Sequence, residues 1–150
     1  MNYWLMKSEP ETFSIDDLKK MKREHWDGIR NYQARNMMRD DMKKGDLALF
    51  YHSNTTPPGI VGVMEIVKES YPDFTAFDPE SKYYDPKSTE DKPRWFMVDV
   101  KFKEKFKRMI TLSDLRANAA LKDMLILRKG NRLSITPVTK KQWDAVFKMV

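Results

Sequence analysis

The chain contains no cysteine and only two histidines among its 150 residues. Without cysteine there can be no disulfide, no thiolate nucleophile and no Cys-based zinc site. The two histidines, His25 and His52, do not stand at a spacing that binds metals, such as HExxH or HxH. The sequence therefore predicts no metal and no other cofactor, and it excludes the enzyme classes that depend on cysteine.

Other signatures are also missing from the chain. It contains no GxSxG nucleophile elbow, no GxxxxGK[ST] phosphate loop and no GxGxxG dinucleotide motif. No apolar run approaches the roughly 18 to 20 residues that a membrane span needs, and the first residues lack the pattern of a signal peptide. We therefore expect a cytoplasmic protein, or a nuclear one in a eukaryote, with no membrane partner.

The composition is that of one ordinary globular domain. Hydrophobic residues make up 41% of the chain and charged residues 33%, and a chain of this length buries a core without help from metals or disulfides. We expect a single domain over residues 1–150, which we treat as a monomer. The 28 basic and 22 acidic residues leave a net charge of +6, which favours contact with a polyanion such as nucleic acid.

The hydrophobic pattern predicts an α+β domain built around a largely antiparallel sheet or barrel. Strands are predicted at residues 3–6, 47–53, 60–69, 94–106 and 133–138. Helices are predicted at residues 15–21, 32–42, 111–118 and 140–150, with Ser14, Thr111 and Thr139 as caps at or just before their starts. Gly59 and Gly62 indicate a bulge, a barrel corner or a close approach of two backbones.

Two charged segments need interpretation. We interpret the connection over residues 70–93 as a solvated loop and not as a Mg²⁺ site. Its six acidic residues are Asp73, Asp78, Glu80, Asp85, Glu90 and Asp91. In the run 101–108 the pattern puts four lysines on one face of a strand and two phenylalanines, Phe102 and Phe106, on the other. The lysines either follow a phosphate backbone or keep a strand edge soluble, and both interpretations stay open.

Aromatic residues are numerous beside polar ones. Such pairs suit a pocket for a flat base, since aromatic faces stack on the ring while amides and hydroxyls contact its hydrogen-bonding edge. Trp4 and Trp143 lie in apolar runs and are assigned to the core. The remaining aromatic candidates are Trp26, Tyr32, Tyr51, Tyr71, Tyr83, Tyr84 and Trp95.

Seven segments spread over nearly the whole chain form a recognisable series. They are YWLMKSEP (3–10), WDGIRNYQARN (26–36), GDLALFYHS (45–53), GIVGVMEIVKESYPD (59–73), YYDPKS (83–88), PRWFMVDV (93–100) and RLSITPV (132–138). In this order they resemble the EVE domain family, most closely its thymocyte nuclear protein-like branch. The family is related to the YTH and ASCH domains of the PUA-like group.

The resemblance implies a PUA-like mixed β pseudo-barrel surrounded by helices, with a pocket at one end. It also implies a nucleic-acid-binding module, not an enzyme, that recognises a modified base in DNA or RNA. The base is a modified cytosine such as 5-methylcytosine, or a modified adenine. By position, the resemblance predicts the following site residues: Lys7, Ser8, Glu9, Trp26, Asn31, Tyr32, Gln33, Arg35, Tyr51, His52, Ser53, Tyr84, Asp85, Pro86, Lys87, Trp95, Arg132, Ser134 and Pro137.

Physical roles follow for some of these positions as hypotheses. Trp26 or Tyr84 would stack on the base, Asn31, Gln33 and Ser53 would meet its polar edge, and Lys7, Arg35 and Arg132 would contact phosphates. Structural alternatives stay open for three residues. Asn31 would instead cap a helix, Trp95 would be core, and Glu9 would pair with an arginine.

A second function class also stays open. Some ASCH relatives are amidohydrolases that act on acylated nucleosides through polar residues that include lysine and glutamate. Lys7 and Glu9, with Ser8 or Ser53, would imitate such a set. A lysine that acts as a base needs a pKa lowered by burial or by a neighbouring cation, and sequence does not show whether Lys7 is buried.

Overall fold

The computed structural model describes residues 1–150 and contains one mixed sheet of six strands. The strands are β1 (Tyr3–Ser8), β2 (Arg23–Trp26), β3 (Leu47–His52), β4 (Gly59–Pro72), β5 (Phe96–Thr111) and β6 (Ile135–Val138). Their order across the sheet is β2-β5-β4-β3-β1-β6. β1 runs parallel to β3, and the other neighbouring strands are antiparallel. The two edge strands, β2 and β6, do not pair, so the sheet is not closed.

Four α-helices surround the sheet: α1 (Ile15–Met21), α2 (Tyr32–Asn36), α3 (Leu112–Ala117) and α4 (Lys140–Phe147). Ser14, Thr111 and Thr139 cap α1, α3 and α4 through reciprocal capping boxes, as their positions in the sequence predicted. The helix predicted over 32–42 is α2 followed by a π-helical turn, Met37–Asp41. Even the longest helix, α4, has only eight residues and is too short and too polar to cross a membrane.

Both faces of the sheet are buried because alternate residues of its central strands enter two different hydrophobic clusters. Met6 and Phe50 belong to the first cluster, with Ile15 of α1 and Ala34 of α2. The second cluster includes Leu5, Leu49 and Tyr51 from the same two strands, and Leu115, Trp143 and Val146 from α3 and α4. The expected α+β fold, a mixed sheet surrounded by helices, is confirmed.

The long strand β5 changes face along its length. Phe102 packs against the first cluster, whereas Phe106 belongs to the second. The pairing of β5 with β4 shifts register between Val63 and Met64, opposite the segment that separates the two phenylalanines. A bulge of this kind adds one residue to the strand and reverses which side chains face the core. The prediction that Phe102 and Phe106 share one face is therefore wrong.

The lysines of the same strand do not form one free basic row either. Lys103 forms an ion pair with Glu65 at 3.2 Å, and Lys105 forms one with Asp16 at 2.7 Å. Because half of the four lysines have carboxylate partners on neighbouring elements, the structure favours a solvated, ion-paired surface here over a track for a phosphate backbone.

Strand β2 was not predicted from the sequence. Its residues, Arg23–Trp26, are polar except for the last, and it lies at the edge of the sheet against β5. A polar run of four residues carries no alternation that identifies a strand. This strand matters for the site, because Trp26 and the residues that follow it line a cavity of about 690 Å³.

Gly62 lies where two backbones approach closely, as its position in a strand predicted. A Cβ atom built there would collide with the backbone carbonyl of Glu104 and would lie 3.1 Å from the side chain of Ile15. Since a backbone carbonyl inside a sheet cannot move aside, we expect Gly62→Ala to lower the free energy of unfolding by roughly 1–3 kcal/mol. Urea denaturation measures this change.

The matched control is Gly130→Asn, at a position with no atom within 4 Å and a left-handed φ of +80° that asparagine tolerates. This variant should stay within about 0.5 kcal/mol of the wild type. A Gly62→Ala protein with the wild-type unfolding midpoint would show that the two backbones are not in contact.

Candidate functional site

A cavity of about 690 Å³ opens where the ends of β1, β2 and β3 meet the segment before β6. The parallel pairing of β1 with β3 places their ends side by side, and the N–H of Ser53 donates to the carbonyl oxygen of Ser8. The N–H of Lys7 donates to the carbonyl of Ser134, which ties the third segment to the same place. The lining residues are Lys7, Ser8, Glu9, Thr12, Phe13, Glu24, His25, Trp26, Asp27, Gly28, Ile29, Ser53, Lys82, Tyr83, Arg132 and Ser134.

The cavity brings together seven of the residues that the sequence predicted. These are Lys7, Ser8, Glu9, Trp26, Ser53, Arg132 and Ser134. They come from four separate segments of the chain, which the fold joins at one end of the sheet. Glu9 is exposed and forms no ion pair with an arginine, so the alternative proposed for it does not apply.

Besides His25, three aromatic side chains line the cavity: Phe13, Trp26 and Tyr83. Trp26 is buried and makes edge-to-face contacts with Phe13 and Phe50, at ring-centroid distances of 6.3 and 5.5 Å. Tyr83 is half-buried and packs directly on the backbone of Gly28. A Cβ atom at Gly28, where φ is +82°, would lie only 2.5 Å from the tyrosine ring.

Tyr83, and not the predicted Tyr84, is therefore the tyrosine of the cavity. Tyr84 is exposed and lies outside the lining. The two residues are adjacent in a loop without a periodic pattern, so the sequence carried no signal for which of them faces inward.

A buried ion pair holds Tyr83 and Gly28 in place. Arg30 donates two hydrogen bonds to the carbonyl oxygen of Tyr83, at 3.1 and 2.7 Å, and one to the carboxylate of Asp73 at 3.0 Å. The same carboxylate oxygen accepts a hydrogen bond from the N–H of Gly28 at 2.9 Å. Asp73 is fully buried, so the interpretation of residues 70–93 as a solvated acidic loop is wrong for this residue.

Four of the predicted residues form a separate cluster beside the cavity. Trp95 is buried, donates its indole N–H to Asp85 at 2.7 Å and stacks on Tyr32 at a centroid distance of 4.8 Å. This N–H, followed by the backbone N–H of Lys87, lowers the pKa of Asp85. Arg35 lies over the ring of Tyr32 and donates to the carbonyl of Arg94. The structure therefore gives Arg35 and Trp95 packing roles, and none of the four lines the cavity.

Other predicted residues also lie outside the lining. The side chain of Asn31 accepts a hydrogen bond from the N–H of Ala34 and caps α2, which is the structural alternative stated for it. Gln33, Pro86 and Lys87 are exposed. Pro137 lines a different, open cleft of about 710 Å³ together with Asn2 and Lys140.

The two residues at the end of β3 face the interior. Tyr51 lies in the second hydrophobic cluster, and burial raises the pKa of its hydroxyl. His52 accepts a hydrogen bond through Nε2 from the N–H of Ile15 at 3.1 Å. This N–H is one of the unpaired donors at the start of α1, so His52 stabilises that helix and takes no part in the cavity.

Lys7 and Asp27 are the two half-buried charged groups of the cavity that have no ion-pair partner. Burial lowers the pKa of the Lys7 ammonium and raises the pKa of the Asp27 carboxyl. By contrast, Glu24 lies 2.8 Å from Nδ1 of His25. Sequence reasoning named Tyr83 only among the aromatic candidates and missed Asp27, although both stand in the segments that carry the family resemblance. No three His, Asp or Glu side chains in the chain lie close enough together to hold a metal ion.

His52 should make stability depend on pH. Burial lowers the pKa of its imidazole below the ordinary value of 6.5, and the neutral ring accepts the hydrogen bond from the N–H of Ile15. Below pH 6.5 the unfolded chain takes up a proton that the folded chain does not, so stability decreases as the pH is lowered, by at most about 1.4 kcal/mol per pH unit.

The test compares the wild type with His52→Gln, whose amide oxygen accepts the same hydrogen bond without titrating. Urea unfolding should show a smaller loss of stability for the variant between about pH 6.5 and pH 5, and parallel curves near pH 8. Equal losses for both proteins in the acid range would argue against a neutral His52 in the fold.

Comparison with known proteins gives a consistent result over almost the whole chain. Residues 2–149 match the family model described as the EVE domain. The chain is 47% identical to mouse thymocyte nuclear protein 1, over 99% of this chain and 73% of the mouse protein. It is similar to the crystal structure of a Pseudomonas syringae protein, with 48% identity, a TM-score of 0.95 and 98% coverage of both chains.

A further similar structure was solved with nucleic acid. It is the human THYN1 protein in complex with DNA that contains 5-methylcytosine. The two chains share 46% identity with a TM-score of 0.93, over 99% of this chain and 97% of the human one.

Proposed function

Because this chain belongs to the EVE domain family, we propose that it binds nucleic acid and holds one modified base, 5-methylcytosine foremost, in the cavity lined by Trp26 and Tyr83. The observation that carries the proposal is the human THYN1 complex with 5-methylcytosine-containing DNA, since that chain and this one share nearly their whole length and fold.

The dimensions and walls of the cavity support the proposal. A volume of about 690 Å³ lies in the range of small-molecule sites and accommodates a nucleobase. A base inside a duplex reaches such a cavity only after it has rotated out of the stack. Tyr83 is half-buried, lines the cavity and is fixed through its backbone by Arg30, so its aromatic ring is held at the cavity wall.

The surroundings of the cavity suit a nucleic-acid backbone. Lys82 and Arg132 line the cavity and are exposed to solvent, so they can meet phosphates while a base lies inside. The net charge of +6 adds a long-range attraction to a polyanion. We also propose that residues 1–150 act as one domain. The relatives are named as nuclear proteins, and for this chain we propose a compartment that contains nucleic acid.

The proposal is of binding without catalysis. The hydroxyl of Ser8 donates its proton to the carbonyl oxygen of Phe13 at 2.6 Å, so it is not hydrogen-bonded to a base that would activate it. One observation favours the amidohydrolase alternative, namely that burial lowers the pKa of Lys7 at the cavity wall.

Incubation with N4-acetylcytidine separates the two functions. We expect no release of acetate above the uncatalysed rate, because no nucleophile in the cavity is paired with a base. Turnover by the wild-type protein that Lys7→Ala abolishes would instead establish the hydrolase.

Adjacent tyrosines provide the test of the base-binding cavity. Tyr83→Ala removes a stacking surface from the cavity, and we expect it to weaken binding of a duplex with one 5-methylcytosine by about five- to 150-fold. Tyr84→Ala is the matched control, because Tyr84 is exposed and outside the lining, and its effect should stay within about twofold. Fluorescence anisotropy with labelled duplexes measures both dissociation constants.

Trp26 is less suited to this test, because a buried tryptophan replaced by alanine costs about 3–5 kcal/mol of stability by itself. The proposal fails if the wild-type protein binds modified and unmodified duplexes equally. It also fails if Tyr84→Ala weakens binding as much as Tyr83→Ala does.

A further inference from the structure

Two half-buried side chains of opposite charge line the cavity, and they come from strands at or next to the two opposite edges of the sheet. Lys7 lies near the end of β1, which is next to the edge strand β6. Asp27 directly follows β2, which is the other edge strand. Both side chains line the same cavity and both are half-buried, yet they form no ion pair with each other.

Two neighbouring carboxylates in this part of the fold already have partners, whereas Glu9, Lys82 and Arg132 of the lining are exposed to solvent. Glu24 contacts His25, and the fully buried Asp73 binds Arg30 and the N–H of Gly28. Asp27 has only its own backbone N–H as a partner, and Asp73 and Glu24 add negative potential around it. A partly desolvated charge without a partner costs stability, so the cavity favours a ligand that supplies a donor to Asp27 and an acceptor to Lys7.

We propose that Asp27 determines which base the cavity accepts, by accepting a hydrogen bond from the exocyclic amine of a cytosine-type base while Lys7 donates to its O2 carbonyl. The inference rests on the proposed function and specifies the base edge that the same cavity selects. Asp27 contacts the amine end of the base edge and Lys7 contacts the O2 end, from opposite walls of the cavity.

The order of hydrogen-bond donor and acceptor along the pyrimidine edge explains why a cytosine-type base is preferred. Cytosine has a donor amine at position 4 and an acceptor at O2, which match Asp27 and Lys7 in that order. Thymine and uracil carry carbonyl oxygens at both ends, so O4 would face the carboxylate of Asp27 without a hydrogen between them. Since thymine also carries the 5-methyl group, it shares with 5-methylcytosine every contact that the methyl group makes.

The experiment therefore compares 5-methylcytosine with thymine. Each base is placed opposite an abasic site in the same duplex, so that neither has to break a base pair before it enters the cavity. Dissociation constants are measured by fluorescence anisotropy. We expect the wild-type protein to bind the 5-methylcytosine duplex at least about fivefold more tightly than the thymine duplex.

Two variants test which residue causes the preference for 5-methylcytosine over thymine. In Asp27→Asn the amide can turn either its oxygen or its NH₂ group to the base, so the preference should fall below about twofold. In Lys7→Met both duplexes should bind more weakly by similar factors, because O2 is common to the two bases. The exposed Asp123→Asn is the control for loss of one carboxylate and should leave both constants unchanged.

The outcomes distinguish this inference from the proposed function. If 5-methylcytosine and thymine bind equally, and both bind more tightly than unmethylated cytosine, the cavity still recognises a modified base and the role of Asp27 is wrong. A preference that survives in Asp27→Asn, in a protein whose melting temperature is unchanged, also overturns it. If no methylated base is preferred over its plain counterpart, the proposed function itself fails.

Discussion

The fully buried carboxylate of Asp73 joins two segments that are far apart in the sequence, the one with Gly28 and Arg30 and the one that begins at Asp73 itself. It accepts hydrogen bonds from Gly28, from Arg30 and from Thr75, the second residue of the short helical turn Phe74–Phe77, which Asp73 caps. Arg30 in turn holds the backbone of Tyr83 through two hydrogen bonds. A buried carboxylate is stable only when it is paired and fully hydrogen-bonded, so these contacts either form together or are lost together. One wall of the cavity therefore depends on this single ion pair.

The opposite wall has a different physical origin. It is built by backbone pairing, because β1 runs parallel to β3 and antiparallel to β6, so the ends of two strands and the start of a third meet at one place. The cavity thus lies between a wall made of sheet hydrogen bonds, which carries Lys7 and Ser53, and a wall made of a loop and the ion pair, which carries Tyr83. The first wall is as rigid as the sheet, whereas the second is rigid only while Arg30 and Asp73 are paired.

The parts of the fold that were predicted correctly are those with a local physical signal. Serine or threonine caps and apolar periodicity located α1, α3 and α4, continuous apolar runs located β1 and β3, and alternation located the first part of β5. Strand β2 was missed because four mostly polar residues show no period, and the change of face in β5 was missed because a bulge depends on the partner strand. Local sequence does not encode such a partner.

The same distinction between local signals and long-range contacts applies to the residues of the site. The family resemblance selected segments that line the cavity, and among its predicted residues Lys7, Ser8 and Ser53, in or next to β1 and β3, lie in that lining. In the loops it selected Tyr84 and not Tyr83, and it did not include Asp27. Arg35 and Trp95 pack against each other, a contact between distant segments that becomes visible only in three dimensions.

The central claim is that the base lies between the wall of Lys7 and the wall of Tyr83. Amide chemical shifts of the ¹⁵N-labelled protein, recorded on titration with a duplex that contains one 5-methylcytosine, test it most directly. The account predicts that the largest shifts occur at Gly28, Ile29, Ser53 and Ser134, which line the cavity. Shifts that are largest around the other cleft, at Tyr3, Val138 and Thr139, with the cavity unchanged, would contradict it.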